Sequence, residues 1–153
     1  MRIFKLCVSQ VRLAALSLLF VAGVHVGSPV LAEEVSADAA GEAPGVFFQN
    51  IQSGDEVKSP VVVHMGVRGK SIAPAGELVP GTGHHHIVID GTFVPEHQVV
   101  PADATHLHFG KGQVEAEVPL SPGKHTLTLQ LADGLHQSYG EAWSKTIEVT
   151  VVE

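Results

Sequence analysis

From Val61 onward the chain alternates. Val61, Val63, Met65 and Val67 take one parity, and Val62 and His64 the other. Val114, Ala116 and Val118 then alternate with Glu115 and Glu117. His125, Leu127, Leu129 and Leu131 alternate with Thr126, Thr128 and Gln130, and Ile147, Val149 and Val151 with Glu148, Thr150 and Val152. A period of two is the mark of a half-buried strand. Between these runs stand turn sequences, Ser53-Gly54-Asp55-Glu56, Ser121-Pro122-Gly123-Lys124 and Asp133-Gly134. Val46–Ile51 opens the series as a further strand, and no segment offers a helical face. Gly69–Thr82, with two prolines and three glycines, reads as a long loop. Thr92–Thr105 and Leu135–Trp143 read as irregular. Short strands with turns between them predict an all-β fold, a single immunoglobulin-like β-sandwich domain over residues 46–153.

Two further extended runs carry the candidate chemistry. The first is Gly83-His84-His85-His86-Ile87-Val88-Ile89-Asp90, and the second is His106-Leu107-His108-Phe109-Gly110-Lys111-Gly112-Gln113. Strand alternation sets His84 and His86 on one face and His85 with Ile87 and Ile89 on the other. His106 and His108 likewise share a face. If the two strands are neighbours, His84, His86, His106 and His108 project from one surface, a set suited to a transition metal. With no thiolate available, histidine-only ligation suits Zn(II), Cu(II) or Ni(II), with copper or zinc the expected ion. His85 and His125 lie on apolar faces and meet, in this reading, at the end of the sandwich, as core histidines or as a second ligand pair with His136. Against the metal stands the plainer role of histidines near strand ends, which is to hold loops by bonding backbone carbonyls. Met65 belongs to the core, and His64 and His97 to the surface. Asp90, Glu115 and Asp133 are candidates to orient imidazoles. The Gly110-Lys111-Gly112 turn is not a phosphate loop, and no nucleophile elbow is present.

The first residues have another purpose. Arg2, Lys5 and Arg12 precede the apolar run Leu13–Val26, and Ser28-Pro29-Val30-Leu31-Ala32 supplies a small-residue cleavage pattern. That order predicts a signal peptide over residues 1–32, with residues 33–45 as a disordered linker and a periplasmic or secreted destination. The apolar run is short for a span, so no stable membrane insertion is expected after cleavage. Cys7 would leave with the signal, as would His25 and all three of the leading basic residues. Six Lys and Arg would remain against 16 Asp and Glu, a formal charge of −10, which argues against nucleic acid as a partner. Nine histidines then outnumber the Lys and Arg, an unusual balance that is compatible with attracting cations.

At these residues the chain resembles a family of secreted bacterial proteins catalogued as domain of unknown function 4399. The likeness rests on Gly83-His84-His85-His86, on His106-x-His108-Phe109-Gly110-x-Gly112-Gln113-x-Glu115, and on Pro122-Gly123-Lys124-His125-Thr126-Leu127. Phe47-Phe48, Ser59-Pro60 and Pro74-Ala75-Gly76 add to it. The resemblance covers Val46 to the C-terminus and implies one β-rich exported domain whose hallmark histidines fall at His84, His85, His86, His106, His108, His125 and His136. Val114 stands where a Thr is expected, and Gln137-Ser138-Tyr139 where a further histidine is expected. The family has no settled activity. Three functions fit these features. The first is a module that holds a transition metal ion without catalysis. The second is a non-metal interaction module whose histidines are structural and whose Gly69–Thr82 loop meets another exported protein or a glycan. The third is a metal-dependent enzyme resembling copper–zinc superoxide dismutase, an analogy of fold alone.

Overall fold

The computed structural model describes residues 43–153. The signal peptide expected over 1–32 and nearly all of the linker expected over 33–45 lie outside the described residues. The domain is all-β, with two sheets packed as a sandwich. The smaller sheet holds β1 (Gly45–Phe48), β3 (Val61–Arg68) and β7 (Glu115–Val118), in the order β1-β3-β7. The larger runs β2 (Glu56–Lys58), β9 (Ser144–Val152), β8 (Gly123–Ala132), β5 (Thr82–Ile89) and β4 (Ser71–Ile72). Along the same side of β5 as β4 lies β6 (His106–His108). The 3-10 turn Glu141–Trp143 leads into β9.

The alternation seen in the sequence turns into the core. Val61, Val63, Met65 and Val118 from one sheet meet Ile87, Leu127, Leu129, Leu131, Ile147, Val149 and Val151 from the other, all nearly or wholly buried. The opposite parity of β3 faces outward, and His64 there stands 3.4 Å from Glu115, its cross-strand partner. Two strands depart from the expected pattern. The Gly69–Thr82 segment is not all loop, because Ser71–Ile72 pairs parallel to β5 and Thr82 already belongs to that strand. Glu56–Lys58, which reads from the sequence as a turn and its exit, pairs parallel to β9.

The larger sheet is also covered on its outer face, which its polar parity does not announce. Thr128 and Gln130 are fully buried beneath the Pro-rich segment 92–101 and the segment 133–140. Gln130 braces both segments: its Oε1 accepts from Val94 N at 3.1 Å, and its Nε2 donates to the carbonyls of Gly140 at 3.1 Å and Trp143 at 3.2 Å. Val94, Val100 and Ala132 form a second small apolar cluster under this cover. β5 is thus buried on both faces, and three consecutive histidines, His84, His85 and His86, are 0 to 1% exposed.

A candidate metal centre of four imidazoles

β5 and β6 are antiparallel neighbours, and His86 stands directly opposite His108. His84 is two residues along the same face of β5, so three rings project from one surface. The fourth comes from a turn. Asp133 Oδ1 accepts from Leu135 N at 2.8 Å and Gln137 N at 2.9 Å, and His136 N donates to Asp133 O at 2.9 Å. That closed turn holds His136 at φ +67°, in the left-handed region, and carries its ring over the cluster. Gly134 makes the turn possible at its back: a Cβ there would overlap the carbonyl of Glu77, and Gly76 N already donates to Gly134 O at 2.8 Å.

The rings of His84, His86, His108 and His136 converge closely. Their six centroid separations run from 4.7 Å (His108 to His136) to 6.0 Å (His86 to His136). His86 Nε2 lies 3.0 Å from His84 Nε2, and His136 Nε2 lies 3.1 Å from His108 Nε2. His84, His86 and His108 each offer a ring nitrogen within 4.8 Å of the others, a spacing open to a metal ion. Around a tetrahedral ion with bonds of about 2.0–2.1 Å, neighbouring nitrogens stand roughly 3.3 Å apart. The two short Nε2 edges are close to that figure.

The site is deep at one end and open at the other. His84 and His86 are buried, His136 is half-buried and His108 is exposed. Burial is the first cause that lowers the His84 pKa to about 4, with the neighbouring His136 and His108 adding to the fall and Asp133 opposing it. Burial and then His84, His108, His136 and His106 take His86 to about 3. His108 is lowered too, by burial and then by His136. The rings crowd one another out of the cationic form, and the neutral imidazole is the form that donates a lone pair.

The structure does not bring the other candidates into this cluster. His106 shares the face of β6 but stands opposite Val88, with Nδ1 on Asp103 Oδ1 at 2.8 Å. His125 donates from Nδ1 to Asp90 Oδ2 at 2.8 Å, and its Nε2 lies 3.0 Å from the carbonyl of Ser121. His85 points into the core, where both its ring nitrogens lack a partner. The expected meeting of His85 and His125 does not occur. His85 pairs with Leu131, six positions along β8 from His125, a separation of roughly 20 Å along a strand. His136 joins the cluster of β5 and β6 rather than that pair. Of the expected orienting acids, Asp90 holds His125, Asp133 shapes the His136 turn, and Glu115 faces His64. Sequence reading overlooked Asp103, although Asp103-x-Thr105 is a recognisable Asx turn: Thr105 N and Oγ1 both bond to Asp103 Oδ1, at 2.9 and 2.8 Å.

A family model described as Domain of unknown function (DUF4399) matches residues 63–152, which span every ring of the cluster. No curated protein and no solved structure matches the chain.

Proposed function

Because the chain belongs to the family of the domain of unknown function DUF4399, whose description assigns no activity, we propose a function from the site itself: an exported module that binds one transition metal ion, copper or zinc, through His84, His86, His108 and His136. One observation carries this reading. Four imidazoles from three separate parts of the chain crowd together, with Nε2 atoms 3.0 Å apart in the His84–His86 pair and 3.1 Å apart in the His108–His136 pair. Two neutral imidazoles facing nitrogen to nitrogen share at most one hydrogen bond. Four of them close together hold more lone pairs than their own N–H groups can satisfy, and a metal ion is suited to accept them. The depressed pKa values of His84 and His86 make the proton the poorer competitor near neutral pH.

His85, His106 and His125 fall outside this ligand set, each for the reason its surroundings give. We assign the ion no reaction of its own; holding, buffering or delivering it is the role that fits a site half open to solvent. The expected leader places that role in the periplasm or outside the cell. The test is titration of the untagged chain with Zn(II) and Cu(II), followed by calorimetry and thermal unfolding. Binding to the folded state adds about 2.7 kcal/mol of stability at a ligand concentration 100 times Kd. His84→Gln or His86→Gln removes that gain. A chain that takes up neither ion at micromolar concentration refutes the reading.

A second reading has one specific observation in its favour. Leu78 and Val79, in the segment between β4 and β5, are 60% and 43% exposed. They suit a surface that meets another exported protein, with the histidines structural. That module keeps its partner after Zn(II) and Cu(II) are stripped by a chelator, and loses it on Leu78→Ser.

A further inference from the structure

A fifth imidazole lies beside the cluster with different partners. His106 is two residues from His108 on the same face of β6, opposite Val88 rather than His86. Val88 lies four residues along β5 from His84, an advance of about 13 Å, too far for His106 to share an ion with all four rings of the cluster. It is near enough for its charge to act on His86. Asp103 Oδ1 clamps it: the carboxylate oxygen accepts from His106 Nδ1 at 2.8 Å and from His106 N at 3.0 Å, besides its two bonds from Thr105. With the hydrogen fixed on Nδ1, the lone pair sits on Nε2.

His125 gives the contrast. It is held on Asp90 in the same manner, but its Nε2 is occupied by Ser121. His106 Nε2 has no protein partner among the described residues, its side chain is 18% exposed, and it stands at the rim of a 430 Å³ cleft between the end of β5 and the 92–101 segment. A carboxylate-oriented imidazole with its second nitrogen open is the arrangement that raises a ligand's basicity toward a metal. The buried pair, His84 and His86, has no such access to solvent.

We propose that His106 is the entry ligand of the metal site: an incoming Cu(II) or Zn(II) ion first bonds His106 Nε2, then passes to His108 and His136, and last to His84 and His86. At each transfer one metal–nitrogen bond forms as one bond to water or to the previous ligand breaks, and the oxidation state of the ion does not change. Asp103 is a positioning residue, acting through His106. The inference rests on the metal-binding reading of the four-ring site.

Stopped-flow mixing of the untagged full chain with Zn(II) held by a chromophoric chelator tests it, in wild type, His106→Gln, Asp103→Asn and His84→Gln. His106→Gln is expected to slow both uptake and release by about tenfold, while equilibrium affinity stays within about twofold and one ion is still bound per chain. Asp103→Asn gives a smaller slowing of the same kind. Unchanged rates in His106→Gln overturn the relay and leave the four-ring site standing. An affinity loss as large as that of His84→Gln overturns it in another way, by making His106 a resident ligand. A wild-type chain that binds no zinc overturns the site and the relay together.

Discussion

Acid should unfold the metal-free domain well above the pH at which carboxylates protonate. Burial, the first cause in each case, holds His84 and His85 at about 4 and His86 at about 3 in the folded chain. Unfolding returns each to about 6.5. Between those limits the unfolded chain binds more protons than the folded one, so stability falls as pH falls. The contribution is whole above about pH 6.5 and is lost progressively down to the folded values. Each ring adds a slope of up to about 1.4 kcal/mol per pH unit, and the three together up to about 4. From pH 6 to 4.5 the loss reaches roughly 6 kcal/mol, against the 5–15 kcal/mol that holds a typical domain. Asp90 and Asp103, whose carboxyls are lowered chiefly by hydrogen bonds from His125 and His106, act outside this window. Their stabilisation persists above the unfolded carboxylate value near 3.9 and fades only below it. The assay is the urea midpoint in chelator at half-unit steps from pH 7.5 to 4.5, with circular dichroism as readout. His86→Gln flattens the slope by about a third. A midpoint unchanged from pH 7 to 4.5 would show that these rings are not held neutral by burial, and the reasoning would fail.

His85→Leu removes two buried nitrogens without partners, each costing about 1–3 kcal/mol when unsatisfied, and is expected to raise the melting temperature by several degrees. His136→Asn keeps a residue that tolerates the left-handed conformation but shortens the ligand, so metal affinity falls about tenfold or more with little change in metal-free stability. Asp133→Ala strips the acceptor from Leu135 N and Gln137 N, costing about 1–2 kcal/mol and loosening His136, which calorimetry registers as weaker metal binding. Gly134→Ala drives a methyl into the Glu77 carbonyl; a urea midpoint equal to wild type would show that the 133–136 turn yields more readily than its hydrogen bonds indicate.

The longer alternating strands and the core were legible because they depend on local periodicity. Val61, Val63 and Met65, or Leu127, Leu129 and Leu131, show their buried face in the order of residues alone. The parity of His84 and His86 was legible for the same reason, as was the core role of Met65. Short or irregular pieces were not. Ser71–Ile72 and Glu56–Lys58 are strands only because β5 and β9 offer them an edge, and nothing in two or three residues announces that. Gln130 alternates as a surface residue yet is buried, since the segments that cover it approach from 36 residues before and from 10 and 13 after.

What the sequence by itself determined, then, is an all-β chain in which neighbouring histidines take alternate faces, because side-chain direction along a strand follows from backbone geometry one residue at a time. Which imidazoles share a point in space is another kind of fact. It needed the register that sets His86 against His108 rather than against His106, and the left-handed turn that delivers His136 from 28 residues beyond His108. Register and turn placement are settled by packing across the whole sandwich, so only the tertiary structure could select four rings from the seven the sequence offered.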